Sequence, residues 1–172
     1  MQLRCCMAIR RCEFNTAAEL AAVHALQREA YEVEAALIGT RNIPALRESV
    51  EDLRSAEAES FWGWFDADGA CAGVIATESE MDAGERLVRI SRLAVGPRWF
   101  RRGIGRMLVA HVLKECPALT VKVTTGAANA PARRLYEAAG FALIGGCAAP
   151  DGTPIVEYRR RARSPAACAD QP

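Results

Sequence analysis

Two glycines and four arginines stand together in residues 98–106, directly in front of an apolar run. The first N–H groups of a helix have no intrahelical acceptor and lie at the positive end of the helix dipole. Gly103 and Gly105 carry no side chain that would keep an anion from this backbone, and the arginines add positive charge. The stretch therefore predicts a pyrophosphate site. Its members are Arg101, Arg102, Gly103, Ile104, Gly105 and Arg106.

Two common phosphate motifs do not fit this stretch. A Walker A loop has Lys-Ser/Thr after its last glycine, whereas Arg106 and Met107 follow Gly105. A dinucleotide fingerprint has a third glycine where this chain has Leu108. A glycine-containing turn with solvated arginines remains the alternative for such a short match taken alone. The pattern otherwise favours a phosphate-bearing ligand that needs no metal.

The elements around the stretch form a β-α-β unit. Alternating apolar residues predict strands over 86–95 and 119–125, and apolar residues at helical spacing predict a helix over 103–116. Such a crossover joins parallel strands with a right-handed twist. The start of the helix therefore falls at the carboxyl end of the first strand, where open sheets bind ligands.

Capping and turn signals divide the rest of the chain. Thr16 and Glu19 predict the start of a first helix that ends before Gly39. A second helix is predicted over 41–59, with Asn42 as its cap. The other predicted elements are strands over 5–14, 60–66, 70–79, 141–146 and 153–160, and a helix over 129–140 capped by Asn129.

Composition limits the class of protein. At 172 residues, with 51% hydrophobic and 25% charged residues, the chain has the balance of a single globular core. We expect one domain over 1–160 and a disordered tail over 161–172. A net charge of +1 gives no overall attraction to nucleic acid or membrane.

Cysteine and histidine usage argues against a metal site. The seven cysteines are an odd count without a C-x-x-C spacing, and only two histidines are present. We interpret the cysteines as reduced thiols of a cytoplasmic protein.

Two motifs together resemble the GNAT superfamily of N-acetyltransferases. "RLAVGPRWFRRGIGRMLV" is similar to the acetyl-CoA motif of that superfamily, in which a Gln or Arg stands where this chain has Phe100. "NAPARRLYEAAGF" is similar to a second motif, which this chain matches in the same order and context. The matching residues are Asn129, Ala132, Leu135, Tyr136, Gly140 and Phe141.

The resemblance implies an α/β (α+β) fold. It implies a mixed, mostly antiparallel sheet of six to seven strands with about four helices, in which the parallel pair of strands over 86–95 and 119–125 splays apart. The backbone of Leu93, Ala94 and Val95 would then pair with the pantetheine arm of acetyl-CoA. Asn129 would contact the coenzyme, although its role as a helix cap is a sufficient reason for its presence.

The resemblance further implies an acyltransferase (EC 2.3.1.-) that passes an acetyl group directly to a primary amine of a small molecule or protein. Tyr136 is the candidate general acid, because a phenol with an ordinary pKa of about 10 can protonate a thiolate whose ordinary pKa is near 8.5. A ring that merely fills the core is the alternative for Tyr136. No metal is expected.

The general base is left open by the sequence. The position aligned with the base of some relatives is Arg89, and Glu78, Glu80 and Glu85 are unranked candidates beside a water chain or an already neutral amine. A CoA-binding sensor without chemistry is therefore the rival hypothesis. We expect no nucleic-acid or membrane partner, and a homodimer is allowed.

Overall fold

The computed structural model describes residues 8–162, in which seven strands and four α-helices form one α/β arrangement. The predicted strand segment 5–7 and tail segment 163–172 lie outside the described residues. The strands are β1 (Ala8–Arg11), β2 (Ser60–Phe65), β3 (Cys71–Asp82), β4 (Glu85–Val95), β5 (Thr120–Gly126), β6 (Ala142–Ala148) and β7 (Pro154–Arg160). The helices are α1 (Ala17–Ile38), α2 (Val50–Arg54), α3 (Ile104–Glu115) and α4 (Ala130–Ala138).

The strands form a single sheet in the order β1-β2-β3-β4-β5-β7-β6. Each neighbouring pair is antiparallel except β4 and β5, which run parallel because α3 crosses between them. The predicted fold class is thus confirmed: a mixed, mostly antiparallel sheet with one parallel pair.

The parallel pair separates at its carboxyl end. Pairing runs from Leu87 opposite Thr120 to Ile90 opposite Val123 and then stops, although β4 continues to Val95. On its other side, β4 carries a bulge against β3, in which Ser91 is the extra residue between Ile90 and Arg92. A bulge bends its strand and increases the local twist. This bend explains why the end of β4 turns away from β5.

Helices cover both faces of the sheet. Neighbouring residues of a strand point to opposite sides, so the apolar residues of a central strand need cover on both faces. Ile75 belongs to the core beneath α3 and α4, whereas Val74 packs beneath α1. The core beneath α3 centres on Leu108 and Val109, both fully buried.

The prediction of a second helix over 41–59 is wrong in its extent. The chain forms a single 3-10 turn over Pro44–Leu46 and then the short α2, which begins after Ser49. Ser49 and Asp52 form a reciprocal capping box, which restarts the helix and replaces Asn42 as the cap. Among residues 8–162, no helix has the length and apolar character needed to cross a membrane.

Candidate active site

The start of α3 differs from the starts of the other helices. Thr16, Ser49 and Asn129 each place a side-chain oxygen on the N–H group of the residue three positions later. Gly103 occupies the same position before α3 and has no side chain to offer. The end of α3 with unpaired donors is therefore left open for a ligand.

The backbone N–H groups of residues 101–106 have no acceptor among residues 8–162. The chain reaches this arrangement through left-handed backbone at Arg101 (φ 63°) and Gly103 (φ 78°). Such backbone costs roughly 1–2 kcal/mol for a residue that carries a Cβ, so glycine at 103 lowers the strain of the turn. A turn that spends energy to present unpaired donors fits the predicted anion site.

A cavity of about 810 Å³ opens in front of these donors, and we call it the large cavity. Its walls come from α1, the end of β4, the start of α3 and the start of α4. Its volume lies in the usual range for small-molecule sites. Nine of the predicted ligand-binding residues line it: Leu93, Ala94, Val95, Arg101, Gly103, Ile104, Gly105, Arg106 and Asn129.

Arg102 is the predicted residue that does not line the large cavity. Its guanidinium lies over the ring of Trp99, with the Cζ atom 4.8 Å from the ring centroid. Trp99 itself lines the cavity, so Arg102 supports the wall from behind. Phe100, which replaces the usual polar residue, also lines the cavity and is 43% exposed.

A smaller cavity of about 150 Å³ adjoins the large one, and we call it the small cavity. It lies at the fork between β4 and β5 and contains Tyr136 and Ser91 in its lining. The hydroxyl oxygen of Ser91 is buried without a hydrogen-bond partner among the described residues. The two cavities share a wall, which is formed by the five residues that line both: Tyr31, Glu34, Leu93, Asn129 and Ala132.

The ring of Tyr136 is fixed by aromatic neighbours. Its centroid is 5.6 Å from that of Phe141 and 6.2 Å from that of Tyr158, and its side chain is 4% exposed. Burial raises the pKa of Tyr136 well above its ordinary value, and the charges of Tyr31 and Glu34 add to the rise. The phenol therefore keeps its proton throughout the physiological range, as a general acid must.

Two site residues on α1 are missed by sequence reasoning. Tyr31 and Glu34 line both cavities. Burial is the main cause that raises the pKa of both groups above their ordinary values. The sequence does carry a signal for Tyr31. Buried residues recur every three or four positions along α1, and Gln27 and Tyr31 are the residues on this face whose side chains carry polar groups.

The three glutamates considered for the general base do not line either cavity. Glu78 forms an ion pair with Arg89, and Glu80 pairs with Arg89 and Lys122. All of them lie beside the paired part of β4 or at its start, on the far side of the bulge from the fork. Arg89 is occupied by these ion pairs. Over residues 8–162, no group of three or more His, Cys, Asp or Glu side chains is placed to hold a metal ion.

Sequence comparison agrees with the geometry. Residues 20–141 match the acetyltransferase (GNAT) family, and this match covers more than half of the chain. The protein belongs to the GNAT family of acetyltransferases. Over 118 residues it is 40% identical to the UPF0157 protein YqkA of Bacillus subtilis (strain 168). The aligned region spans 68% of this chain and 33% of that protein, so the chain covers about a third of its relative.

Solved structures share the fold. The ribosomal-protein-S18-alanine N-acetyltransferase of Escherichia coli is similar with a TM-score of 0.69 and 20% identity, over 95% of this chain and 99% of that chain. A GNAT acetyltransferase of Streptococcus agalactiae 2603 has a TM-score of 0.74 and 16% identity, over 92% of this chain and 96% of that chain. At these identities the likeness establishes the fold and not the substrate.

Proposed function

We propose that this protein is an N-acetyltransferase that moves an acetyl group from acetyl-CoA to a primary amine of a small molecule or protein. The observation that carries the proposal is that two adjoining cavities share five lining residues. One opens at the N–H groups of residues 101–106, which have no acceptor among residues 8–162, and the other is lined by Tyr136. Acetyl transfer from acetyl-CoA needs a site that binds the diphosphate of the donor and a group that gives a proton to its departing thiolate.

The residues of the large cavity fit the donor. The N–H groups of 101–106 and the guanidinium groups of Arg101 and Arg106 would hold the diphosphate, since neutral and charged donors meet there. Within residues 8–162, the edge of β4 from 91 to 95 that faces β5 has no partner strand, so its amide groups are free to pair with an extended arm. The same edge would supply a backbone donor to the carbonyl oxygen of the thioester.

Tyr136 would protonate the departing thiolate. Burial keeps the proton on the phenol oxygen at neutral pH, and the same desolvation makes the thiolate that forms beside it a stronger base than it is in water. Attack by the amine forms the C–N bond, the C–S bond breaks, and the phenol proton passes to sulfur. The phenolate then recovers a proton from the nitrogen of the product.

Calorimetry with acetyl-CoA in the absence of metal, followed by turnover against a panel of amines, tests the proposal. We expect binding in the micromolar range and turnover with at least one aliphatic amine. Binding without turnover on a wide panel would instead indicate a CoA sensor, and no binding would overturn the proposal.

Replacing Gly103 by valine should weaken acetyl-CoA binding about 10- to 100-fold. A β-branched residue is strained at φ 78°, so the backbone leaves this conformation and the N–H groups that follow lose their common direction. Loss of one hydrogen bond to a charged group, worth about 1.5–3 kcal/mol, accounts for that range. Calorimetric titration of the purified variant measures the change.

Gly84→Val is the matched control for this prediction. Gly84 lies in the turn between β3 and β4 at φ 84°, and a Cβ at either glycine would meet no atom of the described residues within 4 Å. Both variants carry the same backbone strain, whereas only the change at Gly103 reaches the large cavity. Equal affinities for acetyl-CoA in the two variants would contradict the assigned phosphate site.

A further inference from the structure

Glu34 occupies a particular place in the fold. It projects from α1 and lines both the large and the small cavity, so it stands where the two meet. Tyr136, the proposed acid, shares the small cavity with it. The charge of Glu34 contributes to the raised pKa of Tyr136.

No cation of residues 8–162 forms an ion pair with Glu34. Arg92 also lines the small cavity, but its guanidinium is bound to the carboxylates of Glu48 and Glu59. Glu34 is partly buried, and a carboxylate removed from water without a cation costs stability. Burial accordingly raises the pKa of Glu34, and the side-chain amide of Asn129 offsets part of this rise. A costly group held at the meeting point of two cavities suits a catalytic or binding role.

We propose that Glu34 is the general base, which accepts a proton from the ammonium group of an aliphatic primary amine. This inference rests on the proposed N-acetyltransferase function and names the base that the sequence left open.

The proton transfer balances with the reaction of Tyr136. The Glu34 carboxylate takes one proton from the R–NH₃⁺ group, which leaves neutral R–NH₂ and a neutral carboxylic acid. The amine nitrogen then attacks the thioester carbonyl. The Tyr136 phenol gives its proton to the leaving sulfur and regains one from the product nitrogen. Glu34 finally releases its proton to solvent, which is the one proton that the overall reaction sets free.

The same arrangement selects the class of acceptor. An aliphatic amine is an ammonium ion near neutral pH and gains from an unpaired carboxylate, whereas an aromatic amine is already neutral and needs no base. The small cavity, at about 150 Å³, admits a slender alkyl chain. We therefore expect aliphatic amines to be the preferred acceptors.

The pH dependence involves the charged or titratable groups that line the two cavities with Glu34. The large cavity contributes the guanidinium groups of Arg101, Arg106 and Arg134. Tyr31 lies on the same helix, Tyr136 and Asn129 come from α4 and its cap, and Arg92 comes from β4. Burial raises the pKa of both phenols, so neither loses its proton in the neutral range. Arg92 and its two glutamates stay paired with each other. Among these groups, Glu34 is the one whose raised pKa shifts its titration towards neutral pH.

The decisive variant is Glu34→Gln, which keeps a polar side chain of the same shape beside Asn129 but cannot take a proton. We expect kcat with an aliphatic amine to fall about 100-fold near pH 7, the lower end of the usual range for acid–base catalysis. The dissociation constant of acetyl-CoA should stay unchanged. The deficit should close as the pH approaches the pKa of the amine, because a neutral amine needs no base. Glu29→Gln is the matched control, since Glu29 is an exposed residue of the same helix outside both cavities.

A second readout does not depend on turnover. Because burial raises the pKa of Glu34, folding favours its neutral form, and its ionised form costs stability once the pH rises through the raised value. Glu34→Gln should therefore have a higher Tm than the wild type near pH 8, with a difference that vanishes as the pH falls towards about 4.3, the ordinary value for glutamate. Glu29→Gln should show no such trend.

The outcomes separate the inference from the function on which it rests. Wild-type turnover with Glu34→Gln fully active, or with a deficit that is equal at every pH, would overturn Glu34 as the base and leave the acetyltransferase intact. A Tm below the wild type at all pH values would show that Glu34 stabilises the fold instead. Absence of turnover in the wild type with all amines would refute the proposed function itself.

Discussion

Replacing Tyr136 by phenylalanine is expected to lower kcat about 10³-fold while the affinity for acetyl-CoA stays at the wild-type value. General acid catalysis contributes roughly 10²- to 10⁴-fold, and a buried phenol leaves little water to replace it. Single-turnover kinetics with a saturating amine measure the chemical step directly. At neutral pH the variant must expel an unprotonated thiolate, which is where the loss arises.

The substitution removes one oxygen and keeps the ring. The contacts of Tyr136 with Phe141 and Tyr158 are between aromatic rings, so phenylalanine preserves them. The hydroxyl of Tyr136 has no hydrogen-bond acceptor within residues 8–162 that the replacement would leave unpaired. We therefore expect the free energy of unfolding to change by less than about 1 kcal/mol, since surrounding polar groups lose no partner.

Tyr158→Phe is the matched control for this variant. Tyr158 is a fully buried neighbour whose hydroxyl donates to Glu137 at 2.7 Å and accepts from Arg133 at 3.1 Å, and it lines neither cavity. Its loss should cost stability and leave kcat near normal. Tyr31→Phe provides the complementary test, because Tyr31 is a buried phenol that lines the small cavity with Tyr136 and the large cavity as well. A collapse of kcat in Tyr31→Phe, with Tyr136→Phe active, would transfer the role of the acid to Tyr31.

The part of the site that local sequence determines could be predicted. Gly103 and Gly105 predict a helix start whose N–H groups are not covered by a side chain. The strand–helix–strand order places that start at the end of β4. Asn129 caps α4 as expected, with its side chain accepting from the N–H group of Ala132. These features need only the spacing of a few neighbouring residues.

The part that depends on packing between distant segments could not be predicted. Glu34 was one of several carboxylates on α1, and only the docking of α1 against β4 decides that it reaches the cavities. The bulge at Ser91 likewise arises from the register between β3 and β4, which local alternation does not reveal. Ser49 and Asp52 have the spacing of a capping box, which is a signal for a new helix start. The prediction of one continuous helix over 41–59 did not take it into account.

Replacing Arg92 by leucine is expected to lower the free energy of unfolding by about 3–5 kcal/mol. The side chain of Arg92 is 13% exposed, and those of Glu48 and Glu59 are 24% and 10% exposed. Its guanidinium donates to both carboxylates, with Nε at 2.9 Å from Glu59 Oε2 and Nη2 at 2.9 Å from Glu48 Oε1. Removing a buried cation leaves two buried anions without a partner, which costs far more than an exposed ion pair contributes. Urea denaturation measures the change.

An exposed pair gives the matched control for that loss. Arg41 pairs with Glu32 on the surface, where the side chains are 74% and 38% exposed, so Arg41→Leu should cost less than about 1 kcal/mol. Adding Glu48→Gln and Glu59→Gln to Arg92→Leu should restore a large part of the stability, because it removes the unpaired charges. If the triple variant is no more stable than Arg92→Leu alone, the loss comes from packing of the arginine stem and not from charge.

The same ion pairs connect stability to the acceptor side of the site. Glu48 precedes α2 and Glu59 precedes β2, so Arg92 fastens this connecting segment to β4 beside the bulge. The small cavity is lined by Arg92 from β4 and by Ile43, which precedes the connecting segment. In Arg92→Leu, the KM for the amine should therefore rise while the affinity for acetyl-CoA, held at the start of α3, changes little. A parallel loss of both affinities would mean that Arg92 supports the whole site and not the acceptor side alone.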